Sequence, residues 1–272
     1  MAPVHARSAL FDVYGDHLRR RGGLAPVAAL ARLLAPLDIS VPAVRTAVSR
    51  MVRQGWLEPV RLPDGAGYQL TGRAERRLDA AHARIYRTPQ PPWDGQWHLV
   101  AVDRPGERAS RDRLDGALRL LGYAPASGGV WVAPRRSPDL PGTLAAEGVR
   151  AHTFAARLDT GATDLVGRAW DLTPVAQAYR GWTAMARELL EAAGDAPGDR
   201  EAFAVRSRLV HEWRNFLFTD PALPPELLPP DWPGHAAASL FDEAAARLRP
   251  GADRFVDDCL DPAPDPPPEE PT

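Results

Sequence analysis

Lysine is absent from all 272 residues, so the positive charge of the chain rests entirely on 33 arginines. Cysteine occurs once, at Cys259, which rules out an internal disulfide and fits a reducing cytoplasm. With no nucleophile context around it, Cys259 reads as a small, half-buried apolar residue. No apolar run approaches the ~18 residues of a membrane span. The start of the chain, with Pro3, His5, Arg7 and Ser8, lacks the apolar centre of a signal peptide. The seven histidines, at positions 5, 17, 82, 98, 152, 211 and 235, form no i,i+4 pair and have no cysteine neighbours, so the pattern gives a structural zinc site no support. Phosphate-loop, dinucleotide-glycine and nucleophile-elbow patterns are missing too. These absences point away from membrane proteins, metalloproteins and the common cofactor enzymes, and the expectation is a protein that is not an enzyme and needs no cofactor.

An apolar fraction of 44% over this length is enough for real cores in two or three domains. The formal net charge of −2 conceals a polarised molecule. Residues 1–87 carry 14 arginines against 7 acids, a net of +7, and the rest carries 19 arginines against 28 acids, a net of −9. A basic module on an acidic body suits duplex binding, because phosphate neutralisation supplies non-specific affinity while the acidic body avoids indiscriminate wrapping.

The sharpest local signal is VPAVRTAVSRMVRQGWL, Val41 to Leu57. Successive residues rotate by ~100° on an α-helix, which puts Val44, Ala47, Val48, Met51 and Val52 on one arc and Thr46, Ser49, Arg50 and Arg53 on the other, with Arg45 on the polar side. Pro42 suits the first turn, Ser40 the N-cap and Gly55 the left-handed position past the end. An acid-free face of this kind can present guanidinium forks to guanine edges or phosphates, and hydroxyls to either. Taken alone, the same residues describe an amphipathic surface helix with solvated arginines. Context decides between the two.

Leu24 to Leu37 has the spacing of a short buried helix, and Asp38 and Ile39 form a tight connection, giving helix–turn–helix spacing. Trp56–Leu62 and Gly67–Leu70 read as strands around a turn at Pro63, Asp64, Gly65 and Ala66, a wing hairpin. Thr71 caps a further helix carrying Ala74, Leu78, Ala81 and Ile85 on one side, and Ser8 to Arg20 forms an earlier helix. The expectation for residues 1–88 is a winged helix–turn–helix, followed by a proline-rich joint, TPQPPW, at Thr88 to Trp93.

Beyond the joint, strands are expected at Trp97–Asp103, Gly129–Ala133 and Val149–Ala155, with helices at Glu107–Leu121 and Leu140–Ala146. This is a ferredoxin-like α+β domain over residues 93–168. Asp103 either ends its strand or, in a symmetric dimer, serves a metal-dependent nuclease; no second carboxylate is placed to share the metal. Residues 169–260 read as a helical domain for effector binding and dimerisation. Its helices are expected at Thr173–Ala193, Arg200–Phe218 and Ala236–Arg249, with a proline-rich loop over Asp220–Gly234. The acidic, proline-rich segment 261–272 reads as a disordered tail.

The chain resembles the PaaX-type repressors of phenylacetate and related aromatic-acid catabolism across nearly all of residues 8–249. The resemblance rests on LFDVYGDHLRRRGG (Leu10 to Gly23), VRTAVSRMVRQGWL (Val44 to Leu57), YQLTGRAERRL (Tyr68 to Leu78), WDGQWHLVAVD (Trp93 to Asp103), AWDL (Ala169 to Leu172) and LVHEWRNFLFTDPALPPELLPPDWPG (Leu209 to Gly234). It implies a winged helix–turn–helix, a central ferredoxin-like domain similar to a CRISPR adaptation nuclease, and a C-terminal helical domain in a homodimer. It also implies repression through a double-stranded DNA operator, relieved by an aryl-acyl coenzyme A thioester, typically phenylacetyl-CoA. The DNA contacts expected are Arg45, Thr46, Ser49, Arg50 and Arg53 in the major groove, with Arg61 at the wing. Arg73, Arg76 and Arg77 either touch flanking phosphates or solvate their helix. For the effector, phosphates need guanidiniums and an acyl or adenine ring needs aromatic walls. The candidates are Arg206, Arg208, His211, Trp213, Arg214 and Phe218, with ordinary core packing and ion pairing as the alternative. A regulator of the same fold with a different effector, or none, fits the residues equally well.

Overall fold

The computed structural model describes residues 4–62, 65–86, 92–159 and 161–261. The expected wing turn at Pro63 and Asp64, most of the proline-rich joint, and the tail from 262 lie outside the described residues. The protein is mixed α+β and divides into two compact units. The first comprises residues 1–88, 182–214 and 238–272; the second comprises residues 89–181 and 215–237.

The first unit begins with α1 (Ala6–Val13), which runs through a π-helical turn at Tyr14–Leu18 and a 3-10 turn at Arg19–Arg21. Strand β1 (Leu24–Pro26) leads into α2 (Val27–Leu34) and a 3-10 turn at Ala35–Leu37. The single helix expected over Leu24–Leu37 is thus corrected: its first three residues form a strand, because Leu24, Ala25 and Pro26 pair with Gln69, Tyr68 and Gly67. Asp38 takes a left-handed backbone, φ 60°, to turn the chain into α3 (Val41–Arg53). Strands β2 (Leu57–Leu62) and β3 (Gly65–Leu70) form a hairpin in register from Leu57↔Leu70 to Leu62↔Gly65, two residues tighter at its tip than the pattern predicted. The three-stranded sheet has the order β1-β3-β2. Helix α4 (Gly72–Ile85) follows, with Thr71 Oγ1 accepting from the Ala74 N–H at 3.3 Å, as expected of its cap.

Leu10, Tyr14, Leu30, Leu33, Val44, Val48, Met51 and Leu57 share one core with Phe203, Ala252, Val256 and Cys259. Burying side chains of this size stabilises by about 1.5–3 kcal/mol each. Cys259 is therefore a buried packing residue rather than a half-buried one.

In the second unit, β4 (Gln96–Val102), α5 (Arg108–Leu120), β5 (Ala124–Ser127), β6 (Val130–Ala133), α6 (Leu140–Ala146) and β7 (Ala151–Arg157) follow the β-α-β-β-α-β order of ferredoxin-like domains. The antiparallel sheet runs β5-β6-β4-β7. Strand β5 had no distinct signal in the sequence, because Pro125 and a register irregularity before Ser127 break its alternation. One face of the sheet packs Val100, Tyr123 and Trp131 on Leu114, Leu118 and Leu140. The other packs Trp97, Ala124 and Val132 against Trp170, Leu223 and Val166, the last of these on α7 (Ala162–Ala169), a helix not foreseen.

Helix α8 spans Thr173–Ala193, as expected. The helix expected over Arg200–Phe218 is split into α9 (Asp199–Trp213) and a single turn, α10 (Phe216–Thr219). The last helix, α11, covers Pro233–Leu260 rather than Ala236–Arg249, continuing through Pro250.

Candidate nucleic-acid interface

Helix α3 is held by a one-sided core. Val44, Ala47, Val48 and Met51 are buried, whereas Arg45, Thr46, Ser49, Arg50 and Arg53 are all exposed. Its end is fixed by two backbone bonds: Trp56 N–H donates to Met51 O at 2.9 Å and Gly55 N–H to Val52 O at 2.9 Å. This is a Schellman termination, and it requires the left-handed backbone of Gly55, φ 69°. Thr71 Oγ1 donates to Gly55 O at 2.8 Å, so one side chain ties the end of α3 to the start of α4. Ser40 has the extended backbone of an N-cap but makes no side-chain capping bond.

Arg45, Arg50 and Arg53 form no ion pair among the described residues, and no acid lies on their face of the helix. Their guanidiniums are thus available to an external anion. Thr46 is different: its hydroxyl donates to Pro42 O at 2.9 Å and keeps only lone pairs for a ligand. Arg61 stands exposed on β2, opposite Ala66 near the hairpin tip. Arg73 sits with its guanidinium carbon 5.5 Å from the Trp56 ring centroid, a cation–π placement that holds it beside the end of α3. The hairpin itself is locked by Gly67, where a Cβ would come within 2.5 Å of Leu62 Cδ1. Tyr14 adds a further tie by donating from its hydroxyl to Tyr68 O at 2.9 Å.

The residues expected at an effector site occupy a different setting. Arg206 is 2% exposed. Its Nε and Nη2 donate to the two carboxylate oxygens of Asp16, both at 2.9 Å; Nη2 also reaches the Tyr86 hydroxyl at 2.7 Å, and Nη1 reaches Ala245 O. Burial works against the Asp16 charge, but His17 and Arg206 hold its carboxyl below the usual carboxylate range. Burial also drives His17 down to about 4. Asp12 lies 2.6 Å from His211 Nδ1 and 2.9 Å from Arg214 Nη1. Burial pushes its pKa up against the pull of both partners. Arg208 pairs with Asp38 at 3.5 Å. Trp213 stacks on Phe241 with centroids 4.7 Å apart and an interplanar angle of 14°. Phe218 belongs to the second unit and is exposed.

The structure therefore brings Arg206, His211 and Arg214 together with Asp12 and Asp16, which sequence reasoning overlooked. The missed signal was a pair of acids four residues apart amid the apolar arc of Leu10, Val13, Tyr14 and Leu18. Asp103 lies just past the end of β4, exposed, with its carboxylate 3.2 Å from Arg150 Nη2. No cluster of three or more His, Cys, Asp or Glu suited to a metal is present among the described residues. No described helix is long and apolar enough to cross a membrane.

Comparison with known proteins gives concordant results. Family models match in three blocks: PaaX-like protein over residues 5–74, PaaX protein central Cas2-like domain over 90–164, and PaaX-like protein C-terminal domain over 170–258. The transcriptional repressor PaaX of Escherichia coli strain K12 is 31% identical over 265 residues, spanning 93% of this chain and 84% of the relative. Among solved structures, the uncharacterized protein Rv0674 from Mycobacterium tuberculosis is 31% identical with a TM-score of 0.60, covering 92% of this chain and 98% of that one.

Proposed function

The chain belongs to the PaaX family, and on that premise we propose that it is a DNA-binding transcriptional repressor, not an enzyme, acting in the cytoplasm as a homodimer. Residues 1–88 are read as a winged helix–turn–helix, 93–168 as the central domain and 169–260 as the effector and dimerisation part. The observation that carries the reading is the α3 face on which Arg45, Ser49, Arg50 and Arg53 stand exposed and unpaired among the described residues. A helix anchored by four buried residues and ended by a rigid cap presents such a face to a major groove with little ordering cost. Arg45 and Arg53 suit guanine edges, Ser49 and Thr46 accept or bridge, and Arg50, Arg61 and Arg73 suit phosphates. Two such modules related by a two-fold axis read an inverted repeat.

Fluorescence anisotropy over an operator and its single-base-pair variants tests this reading. Arg45→Ala is expected to lose about 1–3 kcal/mol, concentrated at one symmetric pair of positions. Equal affinity of wild type and Arg45→Ala for every duplex refutes the assignment.

An aryl-acyl-CoA is the proposed releasing ligand. Its anionic groups compete with Asp12 of α1 and Asp16 of the π-helical turn after it for Arg214, just past the end of α9, and Arg206, within α9. Release then follows from the ligand's greater affinity for the state in which these pairs are exchanged. A thermal-shift series over acyl-CoA thioesters tests the ligand class: aryl-acyl thioesters are expected to raise the melting temperature above free coenzyme A. An unchanged melting temperature with all of them removes this ligand class and leaves the DNA reading untouched.

A further inference from the structure

Helix α4 carries more cations than the α3 reading uses, and they fall on one side of it. With Arg73 as the zero direction, a rotation of ~100° per residue places Arg84 at about 20°, Arg77 at about 40° and Arg76 about 60° the other way. Ala80 is the only other residue of the helix on this arc, with Ala83 at its margin, and both are exposed. The two acids of the helix, Glu75 and Asp79, fall outside it, and Asp79 is already paired with Arg19 at 2.8 Å. All four arginines are exposed, and none forms an ion pair among the described residues. Like charges one turn apart, such as Arg73 and Arg77, weaken a helix. Packing gains nothing from them, since Ala74 and Leu78 supply the inward side. An arc that is costly to the helix and uncompensated within the chain calls for an external anion.

The ridge is continuous with the α3 face. Arg73 lies against Trp56, three residues past Arg53, and Thr71 fastens the start of α4 to Gly55 O at 2.8 Å. Ala74 and Leu78 pack into the core that also holds Val44, Val48 and Met51, so the two polar faces keep a fixed relation. From Arg73 to Arg84 the helix rises ~16 Å. Each strand of a duplex offers a phosphate every ~3.4 Å along the axis, so the ridge is long enough to lie along about five of them.

We propose that Arg73, Arg76, Arg77 and Arg84 form a second contact surface, which grips phosphates of the duplex flanking the half-site that α3 reads. The inference rests on the DNA-binding reading above and extends it from a groove contact to a longer, sequence-independent footprint. Arg76, Arg77 and Arg84 are additional to the contacts assigned there. Such a surface raises affinity for every duplex and leaves discrimination between sequences to α3.

The combined variant Arg76→Gln, Arg77→Gln, Arg84→Gln in the full chain tests it, with Arg73 left in place because it packs on Trp56. The probes are the inverted repeat that the wild-type protein selects from random duplexes, with and without about one helical turn, ~10 base pairs, added at either end. For the wild type, removing the flanks should lower affinity about tenfold or more. The glutamine variant should be indifferent to the flanks, and its slope of log affinity against log salt should be shallower by about 2.7 per bound chain. Its ranking of single-base-pair variants should match that of the wild type. Lysine at the same three positions should restore the benefit of the flanks, because a phosphate contact needs the charge rather than a fixed fork. A wild type indifferent to the flanks overturns the proposal. So does a glutamine variant that keeps the flank benefit or the full salt slope, one that loses affinity only at particular base pairs, or a lysine variant that behaves like it. In each of these cases a wild type that still selects its repeat leaves the α3 reading standing, whereas a wild type that selects no duplex removes that reading and this one together.

Discussion

Asp16 and Arg206 show how much a single buried pair can decide. The bidentate contact is nearly inaccessible to water, so removing one partner leaves an uncompensated charge, which typically costs 3–5 kcal/mol. Arg206→Met is accordingly expected to lower the denaturant midpoint strongly without changing the exposed α3 face. An unchanged midpoint would show that the pair is dispensable. Burial lowers both His82 and His17 to about 4, and the more deeply buried of the two, His17, gives the larger part of the pH dependence. Its folded pKa of about 4 lies below the unfolded value of 6.5, so the unfolded chain takes up a proton that the folded chain refuses. Stability is therefore full above pH 6.5 and falls as pH drops toward 4, by up to about 3 kcal/mol from this group. Asp16, held below the usual range, keeps its contribution until more acidic pH still. Melting temperatures between pH 7.5 and 5 should decline, and His17→Gln should flatten the decline. An equal slope in the variant would assign it to other groups.

Among the elements, α3 was the most legible, because its buried and exposed residues alternate at the helical period and its cap residues are local. Helix α8, with Thr173 and Pro174 at its start and Gly194 past its end, was equally clear. Strand β1 was not: its three residues carry no alternation of their own and are strand only because β3 supplies partners. The π-helical turn at Tyr14–Leu18 was also hidden, since what distinguishes it is the placement of buried Asp16 and His17 near Arg206 and Phe203, partners far away in sequence. The exposed α3 residues were read correctly as a polar face, while the effector candidates gave no hint that Asp12 and Asp16 already engage them. Thr71 joins two elements, so Thr71→Ala is expected to cost about 1 kcal/mol through the lost α4 cap. Chemical denaturation reads this directly, and a change below a few tenths of a kcal/mol would deny the hydroxyl that role.

At the scale of the whole molecule, the division of charge is the governing feature. Residues 1–87 carry a net of +7 and the rest a net of −9, so attraction to phosphate is confined to the part that bears α3. Affinity for any duplex should fall steeply with salt, by counterion release, and Arg61→Ala should weaken binding to all sequences alike while reducing that salt slope by about 1. An effect of Arg61→Ala limited to a few sequences would instead place it at base edges. The proposed repression by a symmetric pair of α3 helices makes one demand that is independent of any effector. Repeated selection of random duplexes by the purified full-length protein should enrich an inverted repeat whose halves lie about one helical turn, ~10 base pairs, or a multiple of that apart, and the double variant Arg45→Ala, Arg53→Ala should enrich nothing. Enrichment of no sequence by the wild type, or of the same sequence by the double variant, would contradict the claim that this family member reads DNA through α3.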